Sequence, residues 1–572
     1  MVAMTLHDAA PNARPEPWIV RSAHLPPDLP LREKLLLLRG LPAGPERDHF
    51  LYPAPHRTLN QLLGDPATLP DMPQAVARLR DAVKTGETIC VYGDYDADGV
   101  TATAILVRGL RCLGATVEYY IPHRVEEGFG LKEEAIRTIA AGGARLLVTV
   151  DCGTSDGSEV AVARAHGMDV IITDHHSLPA TLPDAVAVVN PNRPENLYPE
   201  HFLTGAGLAY NVLRALAYSM GAAPNLKGSE YVQLAALGTI ADVARILGEN
   251  RVLVRAGLVA LHLRPLPGVR AMLAVSGFRG TEVTETDVSF KLAPRLNAAG
   301  RMAHANLACE LLLADDPTHA GQLARDMERL NESRRATTDG MLLQASGLVD
   351  AGHVFGGDVL TVYHEDWSPA LLGIIAGRLS KLHAVPVIAA SRDGDGVRAS
   401  ARSVPGLDIT RALDGCAELL TEHGGHAQAA GFSTSTAGLR AVHEHLLRVF
   451  AGSRKAVTVE VDAELSPGDL SSALVEDVAA LSPFGGGNPE PLFGLRNVQP
   501  RGVRVFGKQR AHLSFEVPGA SGIPVEVIAF GMSDRARTFS GPMDLVVRTM
   551  RQMNGAALPL RLSLEHADRA KP

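Results

Sequence analysis

Four clusters of carboxylates and imidazoles each follow directly on an apolar run. They are Asp94-Tyr95-Asp96-Ala97-Asp98-Gly99 after Thr88-Ile89-Cys90-Val91-Tyr92, Asp151 after Leu146-Leu147-Val148-Thr149-Val150, Asp174-His175-His176 after Val170-Ile171-Ile172, and Asp242 after the run from Ala235 to Ala241. Carboxylates and imidazoles are the ligands of hard and borderline divalent cations, and two carboxylates side by side repel unless a cation lies between them. Taken singly, an aspartate at a strand end reads as a helix cap or turn residue, and paired histidines as a surface turn. Taken together, the clusters supply ligands for two cations with a carboxylate bridging them.

The elements that must position these residues follow from the pattern. β-Branched and apolar runs bounded by turns read as strands of a parallel sheet, and such sheets place ligands beyond their carboxyl ends. All four clusters are therefore expected at strand ends along one edge. Within Asp96-Ala97-Asp98, a strand period of two puts both carboxylates on one side, and Gly99 frees the backbone to turn into the next helix. From about Asp71 the sequence alternates helix 75–83, strand Ile89, helix 101–112, strand 117–121 and helix 132–141, a βαβ series.

The chain is expected to be an α/β protein of several parts. Residues 1–70 read as a lead-in packing on a catalytic domain of 71–316. Residues 317–350 read as a long connecting helix, with a stripe of Leu323, Met327, Leu330, Met341 and Leu348. Residues 351–455 form a smaller α/β domain, with strands 359–363 and 385–389 flanking helix 371–382. Residues 456–572 carry short strands such as 457–461, 513–517, 525–530 and 545–548, as in an OB-like barrel.

A length of 572 residues exceeds one ordinary domain. No apolar stretch reaches the length of a membrane span, and the first 17 residues lack a charged-then-apolar signal. The expectation is a cytoplasmic protein with no membrane partner. The five cysteines are an odd number without paired spacing, which excludes a disulfide framework and a CxxC zinc site. Cys152, beside Asp151, has no base at fixed spacing to make it a nucleophile. A formal net charge of −8 argues against a nucleic-acid partner, but much of the acidity lies in or near the proposed cation site.

The ordered motifs Asp94 to Thr101, Val150-Asp151-Cys152-Gly153, Thr173-Asp174-His175-His176 and Gly238 to Val243 resemble those of the DHH phosphoesterases. Ala293 to Met302, Ser400-Ala401-Arg402-Ser403, Gly424 to Gly431 and Phe484 to Pro491 narrow the resemblance to the bacterial RecJ exonucleases, in order over nearly the whole chain. The resemblance implies a parallel-sheet DHH domain, a DHHA1 domain and an OB-like barrel. It implies a 5′→3′ exonuclease that hydrolyses single-stranded DNA to mononucleotides, in repair and recombination.

By that resemblance Asp96, Asp98, Asp151, His175 and Asp242 hold two divalent cations, with Asp151 as the bridge. Asp94 and Asp174 support them from behind, and His176 contacts phosphate. An oxygen-rich site with one or two imidazoles suits Mn²⁺, with Mg²⁺ as the alternative. Arg295, Asn297 and Arg301 form one expected substrate group, and Ser400, Arg402, Ser403, Gly424, Gly425 and His426 another. Paired glycines let backbone N–H groups approach a phosphate, and they also stop helices. On the barrel, Arg501, Arg504, Phe506, Lys508, Arg510 and His512 are candidate strand contacts, or solvated decoration of the rim. Single-stranded DNA, a single-strand-binding protein and a RecQ-type helicase are the partners the resemblance implies, for a monomer.

Two departures from the family pattern fall in the second domain. Trp367 is followed by Ser368-Pro369 where the family commonly has a histidine, and Ala401 stands where glycine is usual. Both predict altered substrate handling with the metal set intact. Many RecJ chains continue into a further domain beyond the barrel, so partner contacts made there are not assumed. Two rival readings are a DHH enzyme of small nucleotides or short oligonucleotides, to which the barrel would be of no evident use, and a metal-free strand-binding relative, against which the intact ligand set stands.

Overall fold

The apolar runs form a five-stranded parallel sheet in the computed structural model, which describes residues 18–51, 58–222, 228–352, 354–453, 459–507, 510–550 and 560–569. Its strands are β1 (Thr88–Gly93), β2 (Thr116–Tyr120), β3 (Leu146–Val150), β4 (Asp169–Thr173) and β5 (Ala187–Val189), in the spatial order β2-β1-β3-β4-β5. The register runs from Ile89 opposite Leu146 to Val148 opposite Ile171. β1, β3 and β4 are buried on both faces, which is why they read as continuous apolar runs instead of alternating ones. From β1 the chain passes outward to β2 and then crosses back to β3. Adjacent strands that depart in opposite directions leave a crevice at their carboxyl ends, and that crevice is where such sheets bind ligands.

Four helices alternate with the strands: α1 (Met72–Thr85), α2 (Ala97–Cys112), α3 (Glu133–Ala141) and α4 (Gly157–Ala165). Two more, α5 (Gly205–Ser219) and α6 (Gly228–Ala241), pack on α2, and α7 (Gly248–Leu263) packs on α6. Every residue of α2 from Ala97 to Val107 is buried, as expected of a helix apolar on all sides. Its Gly109 lets α5 approach so closely that a Cβ there would lie 2.4 Å from Leu213 Cδ1. The run from Ala235 to Ala241, expected as a strand, is the end of α6. A short apolar run has no period that separates a buried strand from a buried helix, and here the helix holds.

The chain divides into two compact units, one of residues 18–330 with 460 onward, the other built on Asn331–Val459. After α8 (Ala293–Met302), the division falls within the long helix α9 (Pro317–Asp350). The second unit carries a sheet in the order β9-β10-β8-β7-β6. These strands are β6 (Leu360–Tyr363), β7 (Val387–Asp393), β8 (Gly396–Arg402), β9 (Glu422–His426) and β10 (Ala429–Thr434), with α10 (Leu372–His383) against β7 and β8.

The first unit also holds the seven-stranded OB-like sheet. Its strands are β11 (Ala463–Glu464), β12 (Phe493–Val498), β13 (Arg501–Phe506), β14 (His512–Pro518), β15 (Pro524–Ala529), β16 (Met543–Met550) and β17 (Arg561–Arg569), in the order β11-β12-β16-β17-β15-β14-β13. Inward residues such as Phe493, Phe515, Val527, Val547 and Leu562 meet in one core. Of the strand expected over 457–461, residues 457 and 458 lie outside the described residues, and Glu460–Val461 pairs with Ile19–Val20.

The N-terminal lead-in is shared between two cores. Leu35, Leu36, Leu41, Phe50 and Leu51 complete the barrel core, whereas Leu63 and Leu69 join the core of the parallel-sheet domain. The expected packing on the catalytic domain is thus made by Leu63 and Leu69, and the preceding described stretch adds a second contact, with the barrel. Among the described residues no single helix is long and apolar enough to cross a membrane.

Candidate metal centre

The loops that leave β1, β3 and β4 converge at the crevice between β1 and β3. Asp96 is not at a strand position: it caps α2, its Oδ1 accepting the N–H groups of Asp98 at 2.9 Å and Gly99 at 3.1 Å. Asp98 therefore lies in the first turn of α2. Gly99 is helical, and its glycine character serves close approach: a Cβ would lie 2.6 Å from the carbonyl oxygen of Asp94. Asp98 Oδ2 and Oδ1 accept the N–H groups of Gly205 at 2.7 Å and Ala206 at 3.0 Å, at the amino end of α5, where unpaired N–H groups favour an anion. Asp151 leaves β3 in the left-handed region (φ 64°), which aspartate tolerates better than most residues. Asp242 follows the last turn of α6, not a strand, and is exposed.

Donor atoms then fall into three overlapping groups. In each, all atoms lie within 4.8 Å of one another: Asp94, Asp96 and Asp151; Asp151, His175 and His176; Asp98, His175 and Asp242. Asp151 and His175 each belong to two groups, and His175 Nε2 lies 2.9 Å from Asp151 Oδ1. Burial, reinforced by the Asp96 charge, pushes the Asp94 carboxyl up to about 7. Burial, reinforced by Asp242, pushes Asp98 up to about 7 as well. Asp151 is raised by burial and by Asp98. Buried carboxylates that hold one another protonated are what a divalent cation would relieve. Asp94 Oδ1 is buried and meets no hydrogen-bond donor among the described residues, so it fits a ligand role better than the supporting role expected of it.

Asp174 hydrogen-bonds both histidines. Its Oδ1 accepts the N–H groups of His175 at 2.7 Å and His176 at 3.1 Å and lies 2.7 Å from His176 Nδ1, while Oδ2 accepts Thr154 N–H at 3.1 Å. Burial works against its charge, but the bond to His176 wins and holds Asp174 below the usual carboxylate range. Burial likewise opposes the His176 cation, and the same bond overrides it, raising His176 to about 9. His176 thus reaches the donor group through its ring while its Nδ1 is paired with Asp174 at 2.7 Å. Cys152 is buried, and burial raises its thiol well above the usual range, so it is no nucleophile.

Several residues at the same edge carried no motif signal of their own. Arg124 and Phe129 lie on the loop after β2. Arg124 stacks its guanidinium 4.4 Å from the Tyr95 ring centre, and Phe129 sets its ring edge-on to His176, 5.1 Å between centres. After β5, Asn190 Nδ2 donates to the His176 carbonyl at 3.0 Å and Asn192 Nδ2 to that of His175 at 2.6 Å. The rule that ligands gather beyond strand ends would have pointed to both loops.

Of the α8 group, Asn297 Oδ1 accepts Ala97 N–H at 3.0 Å and so fixes the start of α2. Arg295 is corrected as a substrate residue: it is buried, donates to the Lys291 carbonyl at 2.6 Å and pairs with Glu328. A guanidinium so committed has no fork left for a phosphate. Arg301 is half-buried and its charge acts on Tyr95.

In the second unit, cross-strand register puts Ser400, Gly431 and Gly424 in one row, and Arg402, Ala429 and His426 in the next, all on one face of the sheet. Gly373 of α10 borders that face, where a Cβ would lie 2.8 Å from Arg402 Nη2. Gly424 and Gly425 stop no helix: they lie in the edge strand β9, with Gly425 at φ 144°. Ser403 lies beyond β8 with its hydroxyl donating to the Leu407 carbonyl at 2.8 Å. Trp367, followed here by Ser368, is buried, stacks on His364 and donates to Gln344 Oε1 at 2.8 Å.

On the barrel, His512 stands between Phe506 (5.5 Å between ring centres) and Phe530 (5.4 Å), beside the edge strand β13. Arg510 is exposed in the turn beside this cluster and Arg501 is exposed at the far end of β13, whereas Arg504 donates to Ser514 Oγ at 2.8 Å and Glu526 Oε1 at 2.6 Å. Lys508 lies outside the described residues.

Comparison with known proteins places these features in a family. Residues 88–239 match the DHH family, N-terminal domain, residues 356–451 the DHHA1 domain and residues 461–554 the RecJ OB domain. The single-stranded-DNA-specific exonuclease RecJ of Bacillus subtilis is 34% identical over 498 residues, which are 86% of this chain and 62% of that protein. The protein of the same name from Dickeya dadantii is 36% identical over 497 residues, 82% of this chain and 84% of that one. The crystal structure of RecJ in complex with Mn²⁺ from Thermus thermophilus is similar with a TM-score of 0.79 at 30% identity, covering 95% of this chain and 76% of that chain. This chain belongs to the RecJ family of single-stranded-DNA-specific exonucleases.

Proposed function

We propose that this protein is a divalent-metal-dependent 5′→3′ exonuclease that hydrolyses single-stranded DNA to mononucleotides, in DNA repair and recombination. One observation carries the reading: three donor groups overlap through Asp151 and His175 in the crevice between β1 and β3. Asp94, Asp96, Asp98, Asp151, His175 and Asp242 would hold two divalent cations, and Asp151 and His175 belong to more than one donor group. Mn²⁺ is the preferred ion and Mg²⁺ the alternative, since carboxylate oxygens with imidazole suit both and the balance favours Mn²⁺. A bound pair supplies Lewis acidity and lets water attack phosphorus at neutral pH.

The chain's own groups do the rest. The N–H groups of Gly205 and Ala206 hold the Asp98 carboxylate in place. His176, kept cationic by Asp174, presents positive charge beside the donor set and steadies the scissile phosphate by a charge-assisted hydrogen bond. Arg124 Nη1, buried without an acceptor among the described residues, takes a second phosphate oxygen. Ser400, Arg402, Gly424 and His426 line a phosphate-binding face in the second unit, and the Phe506–His512–Phe530 cluster stacks bases of a longer strand.

The test is incubation with Mn²⁺ of a long single strand labelled at either end, beside a matched duplex and a short oligonucleotide. Immediate release of labelled mononucleotide from the 5′-labelled long strand alone is the expected result. Survival of the long strand while the short oligonucleotide disappears would assign the enzyme to small substrates instead, and no cleavage with no Mn²⁺ binding would leave only a strand-binding protein.

A further inference from the structure

Asp98 and Asp151 are fixed by hydrogen bonds to neighbouring elements, but Asp242 is carried by the backbone just past α6. That is an unfavourable place for a carboxylate, because the carbonyl end of a helix carries partial negative charge. The chain leaves α6 through Val243 at φ 56°. Val243 N–H donates to the Ile240 carbonyl at 3.2 Å and Ala244 N–H to that of Thr239 at 3.3 Å. This is the closure that normally has glycine in the left-handed position. A β-branched residue there is a genuine outlier, and the Val243 side chain, 76% exposed, gains no packing in return.

What holds this exit is a strap that leads into the barrel. Ile246 N–H donates to the Gly486 carbonyl at 2.7 Å, and Arg245 and Gly486 form a parallel bridge. Gly486 lies so close that a Cβ on it would meet the Ala244 and Val243 carbonyl oxygens at 2.8 and 2.9 Å. The strap is itself pinned. Phe484 N–H donates to Glu285 Oε1 at 3.0 Å, and Asn488 Nδ2 donates to the carbonyls of Leu481 at 2.9 Å and Pro483 at 2.8 Å. From α7, Arg251 donates to the carbonyls of Pro483 at 3.1 Å and Ser482 at 2.7 Å. A strained residue beside a metal ligand persists only where its surroundings over-determine it.

We propose that the strap from Phe484 to Asn488, with Gly486 at its point of contact, is the positioning element that sets Asp242 in the metal centre, so that this segment governs the cation affinity of the site. The inference rests on the metal reading given above. It makes Gly486 and Val243 positioning residues: neither supplies a ligand, and both fix where one stands. Supports of this kind are worth about 10- to 100-fold in metal affinity.

The test is calorimetric titration of the full metal-free chain with Mn²⁺, alongside thermal unfolding. Gly486→Ala is expected to weaken Mn²⁺ binding at least about tenfold, with turnover recovering at high Mn²⁺. Glu285→Ala, which releases Phe484 without placing an atom against the loop, is expected to act in the same direction. Val243→Gly takes the left-handed conformation freely, so in the Gly486→Ala background it is expected to restore part of the affinity. Folded Gly486→Ala protein that binds Mn²⁺ like the wild type would overturn the proposal. Should that variant not fold, unchanged binding by Glu285→Ala would overturn it equally. If the wild-type chain itself takes up no Mn²⁺, the metal reading fails and the strap with it.

Discussion

Gly238, one turn before Asp242 in α6, offers a severe test of the site. A Cβ at this position would lie 2.3 Å from Asp98 Oδ1, 2.5 Å from Ala206 Cβ and 2.5 Å from Thr101 Oγ1. Ordinary non-bonded contact lies near 3.5 Å, so Gly238→Ala must displace Asp98 or the helix by about 1 Å. Alanine improves helix propensity by about 1 kcal/mol, whereas overpacking a filled site costs about 1 to 3 kcal/mol, so a net loss of about 1 kcal/mol in stability is expected. The larger effect is catalytic. A misplacement of about 1 Å in reacting geometry costs about 100-fold in rate. The assay is Mn²⁺-saturated release of 5′-labelled mononucleotide, with urea denaturation to measure stability. Gly257→Ala is the control: its Cβ would strike Ala236 Cβ at 2.2 Å and touch none of the donors, and it is expected to destabilise the protein while sparing the turnover of folded enzyme. Gly238→Ala protein that turns over like the wild type at saturating Mn²⁺ would refute the reasoning.

Asp94 and Asp98, with folded-state values raised from 3.8 to about 7, bind protons more tightly folded than unfolded. Their contribution is fully present at low pH and lost as pH rises from 3.8 to about 7, so the thermal midpoint of the metal-free protein should fall across that window and Mn²⁺ should reverse the fall; a midpoint that rises would contradict it. Arg295→Ala leaves the half-buried Glu328 without its partner and removes a buried side chain, and should cost about 1 to 3 kcal/mol of stability with KM for DNA unchanged in the surviving folded enzyme, measured by urea denaturation beside steady-state kinetics. Phe530→Ala should raise KM for a long strand by the loss of one stacked base, about 1 to 3 kcal/mol, and leave a short oligonucleotide unaffected.

The strand-end clusters were legible because parallel strands buried on both faces write themselves as unbroken apolar runs, and the aspartates that follow mark where burial stops. Asp242 followed a similar run for a different reason. Residues 235–241 are apolar because α6 is buried on nearly all sides, and over seven residues the two cases look alike. Arg295 was opaque for want of its partner: nothing local says that Glu328, a helix away, will claim its guanidinium. The barrel's reliance on Leu35 and Phe50 was equally hidden, since contacts spanning more than four hundred residues have no local signature.

What the sequence hid most completely is how the donors come close enough to share cations. Reading along the chain counts ligands, but their convergence depends on side chains that are missing. A Cβ on Gly99 would strike the Asp94 backbone at 2.6 Å, one on Gly205 the Asp151 Cβ at 2.5 Å, and one on Gly238 the Asp98 Oδ1 at 2.3 Å. Each of these glycines backs a different aspartate of the set, and only Gly238 and Gly99 fall inside the recognisable motifs. Gly205 stands between motifs, at the amino end of α5, and its N–H also binds Asp98. One residue thus packs against one donor and hydrogen-bonds another, so Gly205→Ala should disturb both sides of the centre at once. Gly99 is placed likewise, pressing on Asp94 while its N–H binds Asp96, so Gly99→Ala and Gly205→Ala should each weaken Mn²⁺ binding, whereas Gly257→Ala, which touches none of the donors, should bind Mn²⁺ like the wild type.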